Sequence, residues 1–282
     1  MDSDKLLKLI PAAIWVLLAV LTLWRLSDTG AELSLFTAVI AWALWFVVFV
    51  ALLVPATVGL TIVFIAIPVV AAIVGLTNNT VDPAILIAGV AIPFVIVWTP
   101  AGDYMINGSS YGSEKRFLLK PTVLMSILFP VLTTLSALFA GFLISTAAQN
   151  QWVIAAILAI PTIAAVYVAA RVIHQGFSRW LVFVPAGVVI HDPYLLKISA
   201  MTRKPNASHL TTARADTDGP ETTDLTGGAT GYRSHLVTRE PIPLDFRNGE
   251  NIESNSITFA PLRPGAVLRE ARVRGFKTKV SN

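Results

Sequence analysis

Charged positions vanish from two long tracts of this chain. Between Glu32 and Asp82, and again between Lys120 and Arg171, there is no Asp, Glu, Lys or Arg. A helix of either length would run about 75 Å, against a bilayer core of about 30 Å. Each tract must therefore fold back on itself. Turn chemistry divides them at Val54-Pro55, at Gly75 ahead of Asn78, Asn79 and Thr80, and at Ala148 through Gln151. Asp82-Pro83 and Thr99-Pro100 bound a further segment. The pattern predicts six spans, over about 8–25, 34–54, 57–76, 83–100, 121–146 and 152–174. The apolar run from Leu9 to Trp24 is long for a cleaved signal and is expected to stay as an anchor.

After the sixth span the period changes. Trp180–Val184 and Val188–His191 are short apolar runs joined by Pro185-Ala186-Gly187, which reads as a hairpin with a type I turn. More strands are predicted near 198–203, 207–213, 222–226, 234–239, 241–246 and 256–260. The turns between them fall at Lys204-Pro205-Asn206, at 217–220, at Gly227-Gly228 and at 248–251. Arg263-Pro264-Gly265 then opens a helix over 265–273, whose apolar side is Ala266, Val267, Leu268 and Ala271. The fold class that follows is a membrane all-α bundle of about six transmembrane helices, residues 1–176. A small mainly-β domain, PH-like or another small barrel, follows over 177–282 and ends in a short helix.

Composition sharpens this division. The chain has 282 residues, 55% hydrophobic and 13% charged, where soluble domains carry nearer a quarter charged. Residues 1–176 hold seven of the 21 Lys and Arg, and 177–282 hold fourteen. With the N-terminus inside, the inner segments carry Lys5, Lys8, Lys115, Arg116, Lys120 and the tail from Arg171, while the outer loops hold only Arg25. That bias predicts a multi-pass membrane protein with both termini in the cytoplasm. Trp24, Trp98, Trp152 and Trp180 fall at expected span ends, where indoles favour the interface. Trp42 and Trp45 lie mid-span on one helix face and are expected to pack against a neighbouring helix or lipid.

The candidate chemistry is sparse. Cysteine is absent, so thiol chemistry and Cys-based metal sites are excluded. No Walker pattern, Gly-x-Gly-x-x-Gly or Gly-x-Ser-x-Gly occurs, and His174, His191, His209 and His235 lack helical metal spacing. His191-Asp192-Pro193 reads as a turn. No catalytic residue, metal or cofactor is expected, and the chain is read as no enzyme. The inner loop 101–120 holds Asp103, Tyr104, Lys115 and Arg116, a set suited to a phosphate headgroup or a partner, on a flexible Gly- and Ser-rich lead-in. In the tail Arg203, Lys204, Arg269, Arg272 and Arg274, with Lys277 and Lys279, suit an anionic surface. Four successive spans carry an internal proline, Pro68, Pro93, Pro130 and Pro161, which predicts kinks. Ala137, Gly141 and Ser145 share one face of the fifth span, a stripe that suits close helix packing.

The string Arg179-Trp-Leu-Val-Phe-Val-Pro-Ala-Gly-Val-Val-Ile-His-Asp-Pro193, with 259–271, resembles uncharacterised multi-spanning integral membrane proteins of actinobacteria that carry a C-terminal PH-like β domain. The resemblance covers about a third of the chain and implies placement in a bacterial plasma membrane rather than an activity. The expected function is non-enzymatic: a cytoplasmic β domain that binds anionic membrane lipid or a protein partner, in a cell-envelope scaffold or assembly, with no nucleic acid. The alternative is a transporter or lipid-translocating permease whose kinked helices line the path. The spans hold almost no ionisable residue, and Arg25, Asp82, Asp103 and Lys120 sit at edges, which argues against an ion-coupled pump.

Overall fold

In a computed structural model the protein is described over residues 10–20, 34–76, 82–214 and 222–280. The chain forms two compact units, and each is discontinuous. The first comprises residues 1–108 and 127–174; the second comprises 109–126 and 175–282.

The first unit is helical. Its elements are α1 (Ile10–Val20), α2 (Leu35–Leu53), α3 (Thr57–Gly75), α4 (Pro83–Trp98) and α5 (Pro100–Asn107), then most of α6 (Val123–Ala148) and α7 (Trp152–Phe177). Among the described residues α2, α3, α6 and α7 are long and apolar enough to cross a membrane, which makes this a membrane-compatible α-helical region. Their ends follow local chemistry. Ser34 Oγ accepts from Thr37 N at 3.2 Å and caps α2, and Asp82 Oδ1 accepts from Ala84 N and Ile85 N and caps α4.

The expected fourth span differs from what is seen. α4 stops at Trp98, and the chain turns by 70° into α5. Pro100 has no N–H to continue the ladder, and the Thr99 hydroxyl donates to Ile96 O at 2.6 Å. A Cβ at Gly102 would lie 2.3 Å from Val97 O, so only glycine permits this bend. The expected first span, 8–25, lies partly outside the described residues, as do Trp24 and the 78–80 turn.

Small residues bring the helices together. A Cβ on Gly89 of α4 would stand 2.2 Å from Ala71 Cβ of α3. One on Gly141 of α6 would stand 3.0 Å from Ala72 Cβ, and Ala137 joins the same apolar cluster. Pro68, Pro93, Pro130 and Pro161 each sit inside a helix, α3, α4, α6 and α7, without ending it.

The second unit is mainly strands. One sheet has the order β1-β2-β3-β4, built from β1 (Lys115–Leu118), β2 (Trp180–Val184), β3 (Gly187–His191) and β4 (Ala200–Arg203), all antiparallel. The other has the order β6-β8-β7-β5-β9, from β5 (Ala207–Arg214), β6 (Thr223–Asp224), β7 (Tyr232–Asp245), β8 (Asn251–Phe259) and β9 (Thr278–Val280). The helix α8 (Pro264–Val273) lies between β8 and β9 in sequence. Both sheets and α8 share one core, including Phe117, Leu181, Phe183, Leu236, Phe259, Val267 and Ala271.

Two expectations change here. Residues 101–120 are not a single loop: α5 runs to Asn107, turns follow over 108–114, and β1 then pairs with β2 in the register Arg116↔Val182. The strands expected at 234–239 and 241–246 are one strand, β7, with an irregularity between Val237 and Ile242 that carries Pro241 through. The β2–β3 hairpin closes through Pro185-Ala186, and neither residue has positive φ, which suits a type I turn. Gly187 is needed for a different reason than the turn: a Cβ there would meet Thr202 O of β4 at 2.0 Å.

A buried ion pair holds the joint between these segments. Arg179 and Asp192 are almost fully buried, and Arg179 Nε and Nη2 donate to Asp192 Oδ2 at 2.9 and 2.7 Å. Arg179 Nη1 donates to Lys120 O at 2.7 Å, at the end of the β1 segment. Asp192 Oδ1 accepts from Tyr194 N and Leu195 N, which closes the expected turn. Removing one partner of such a pair strands the other charge, at about 3–5 kcal/mol. Arg179→Met is therefore expected to destabilise the β unit by about 3–5 kcal/mol in denaturant unfolding of the purified protein. The exposed control Arg203→Met is expected within about 0.5 kcal/mol of wild type. Equal midpoints for the two variants would show that the pair carries no stability.

Candidate functional site

The densest group of sequence candidates lies on α8 and the strands around it. Pro264 suits the first turn of α8, where its missing N–H costs nothing. Val267, Leu268 and Ala271 then recur at helical spacing and enter the core. That register turns Arg269, Arg272 and Val273 outward, and all three are exposed. Arg272 Nε donates to Thr278 Oγ1 at 2.8 Å and ties the helix to β9. β9 runs parallel to β5 with Thr211↔Lys279 in register, so Lys279 follows on the same segment.

Glu270 is the one acid among the basic residues of α8 and β9. Arg274 Nε donates to its Oε1 at 2.7 Å, and Lys115 Nζ of β1 reaches its Oε2 at 3.2 Å. Arg274 also donates to Ser113 O and lies over the Phe183 ring at 6.0 Å. Burial pushes the Glu270 carboxyl up, but the hydrogen bonds from Arg274 and Lys115 outweigh it. The net effect holds the group below the ordinary carboxylate range.

Arg116 is likewise committed within the unit. Its Nε donates to Glu114 Oε1 at 2.7 Å and its Nη1 to Ser109 Oγ at 3.0 Å. Its guanidinium stands 4.7 Å from the Trp180 ring centroid, a cation–π contact. That hydrogen bond from Arg116 is the main cause that lowers Glu114 below its usual value.

The nine sequence candidates therefore separate. Lys115, Arg116 and Arg274 hold the β1 segment to α8 and β2. Arg203, Lys204, Arg269 and Arg272 have no ion-pair partner among the described residues; Lys204 Nζ comes within 3.1 Å of where a Gly275 Cβ would stand, beside the end of α8. Asp103 and Tyr104 belong to the first unit, on α5, where Asn107 Nδ2 donates to Asp103 O at 2.6 Å. They are not in the unit that holds the basic group.

Sequence reasoning missed one member of this site. Glu270 was the acid that two bases needed, and its i, i+4 spacing to Arg274 was the available signal. Lys277 lies directly before β9 and Lys279 on it, in the basic stretch the sequence pointed to. Among the described residues no three His, Asp or Glu side chains lie together in a way that could hold a metal ion. No family model, curated protein or solved structure matches the chain.

Because the folded Glu270 titrates below its unfolded value, its stabilisation is complete above about pH 4.3, the unfolded value. It is lost as pH falls through the lower folded value. Glu270→Gln is therefore expected to unfold at lower denaturant than wild type at pH 7. The two curves should converge as the pH drops below 4. A gap that stays constant down to acid would show that the carboxylate charge contributes nothing.

Proposed function

We propose that the chain is a non-enzymatic integral membrane protein whose β unit reads anionic lipid headgroups through α8 and β9. The observation that carries this is Val273. It is 82% exposed at the end of α8, between Arg272 and Arg274 and ahead of Lys277 and Lys279. A solvent-exposed apolar side chain within a basic run is costly in water and suits the headgroup boundary. There the apolar group inserts and each basic group contributes about 1 kcal/mol. The single acid in this stretch is already held by Lys115 and Arg274, so it does not cancel the outward charge of Arg269 and Arg272.

In this reading the chain crosses the membrane six times and both termini are cytoplasmic. Support comes from the four long apolar helices and from the bent α4–α5 pair, which counts as a fifth span if taken together; the short apolar α1 is taken as the sixth. The Lys and Arg bias gives the direction. The β unit is taken as a PH-like module. Two sheets around one core with a late helix support that reading, and residues 115–118 complete its first sheet. An assay on the tail alone would lack that strand, so the test uses the full chain.

The test is amide hydrogen exchange of the full-length protein in nanodiscs. Exchange across 269–280 is expected to slow when neutral lipid is replaced in part by anionic lipid, and to recover in high salt. The double variant Arg269→Glu and Arg272→Glu is expected to abolish the slowing. Equal exchange in neutral and anionic nanodiscs would remove this reading.

A further inference from the structure

The β unit bonds directly to the ends of the two helices that leave it. β1 is followed by α6 after four residues, and α7 is followed by β2 after two. Leu118 at the end of β1 pairs with Trp180 at the start of β2, so both connections leave from one end of the first sheet. Trp180 Nε1 donates to Phe177 O, the last carbonyl of α7. Val123 N, the first of α6, donates to Gly227 O at 3.3 Å.

Residues 226–232 form a strap across the start of α6. Gly227, Gly228 and Gly231 all have positive φ, which lets the backbone curl around the connection. A Cβ on Gly227 would stand 2.4 Å from Thr122 Cγ2, so the strap lies tight on the residue before α6. Lys120 Nζ donates to Thr230 O at 2.8 Å and to Tyr232 O at 3.2 Å, which locks its far side. The side chain that this arrangement presents is Tyr232, which is 61% exposed.

What the strap touches sets its depth. Val123 opens a helix of 26 residues without a charge, so the edge of the hydrocarbon falls at the first turn of α6. An open ring held beside that turn lies where tyrosine gains most, its apolar body at the acyl boundary and its hydroxyl among headgroups. We propose that the strap is a bilayer-facing surface in which Tyr232 inserts its ring at the headgroup–acyl boundary beside α6, with Trp180 as its counterpart at the end of α7. The proposal rests on the membrane placement of α6 and α7, and not on the reading of anionic lipid by α8 and β9. It requires no lipid charge.

Because the chain has no cysteine, a nitroxide can be placed at one position at a time. Full-length Tyr232→Cys, Thr230→Cys and Glu240→Cys are each spin-labelled and reconstituted in neutral phosphatidylcholine vesicles. Thr230 and Glu240 are exposed, and Glu240 lies eight residues further along β7 than Tyr232. Collision with oxygen, which enters lipid, is compared with collision with a water-soluble nickel chelate. The oxygen-to-nickel ratio at 230 and at 232 is expected to exceed that at 240 several-fold, and to be unchanged in high salt. In the Thr230→Cys background, Tyr232→Asp is expected to lower the ratio toward the value at 240, and Tyr232→Trp to keep it. Three results would overturn the proposal: ratios at 230 and 232 equal to that at 240, an excess that appears only with anionic lipid at low salt, or a ratio at 230 that ignores Tyr232→Asp. None of them touches the α8 reading, whose exchange test turns on lipid charge at 269–280.

Discussion

The structure of the β unit depends on one buried charge. Arg179 follows the last membrane-compatible helix by two residues, and its guanidinium has no exit to water. A buried cation must be paired and its donors filled. Asp192 takes two of its N–H groups and the Lys120 carbonyl takes another. The second link has the larger consequence. Lys120 lies 59 residues earlier in the chain, at the end of the segment between α5 and α6. Satisfying Arg179 therefore requires that segment to be in place, and β1 lies directly before it. Once β1 pairs with β2, Lys115 and Arg116 are carried to Glu270 and Trp180, and they serve as internal ties.

The helical unit obeys a different rule. Among the described residues no buried ion pair fixes its geometry, and its contacts are set by how closely backbones approach. Gly89 against Ala71 and Gly141 against Ala72 provide that closeness, as small residues do where no hydrophobic difference drives helices together. The internal prolines are tolerated within these helices, and the sharp bend occurs only where Pro100 and Gly102 act together.

Where a single element decided the outcome, the sequence was legible. The ends of α2, α3, α6 and α7 follow from uninterrupted apolar runs and from Pro55 and the Gln149-Asn150-Gln151 turn, and they agree within a few residues. The helix at 264–273 was visible from Pro264 and the spacing of Val267, Leu268 and Ala271. What failed was non-local. β1 has four residues, and its partner lies about 65 positions away, so Lys115 and Arg116 looked like a positive-inside anchor. α5 was hidden because glycine, asparagine and tyrosine in 101–111 suggest a loop, while Ala101, Met105 and Ile106 are what bury it. Asp192 showed its turn, but its pairing with Arg179 needed the fold. Pro241 suggested a break between two strands, and an irregularity in the ladder absorbs it instead.

The chain has no cysteine, so a single engineered pair reads the β1–β2 contact without background. Arg116 and Val182 are direct cross-strand partners, within reach of a disulfide. The double variant Arg116→Cys and Val182→Cys, expressed at full length and oxidised in native membranes, is expected to form one intramolecular disulfide in nearly every molecule. Neither single variant, nor the pair of Arg116→Cys with exposed Ile252→Cys, should do so. Two free thiols in the folded double variant would contradict a β unit completed by the segment between the fifth and sixth helices.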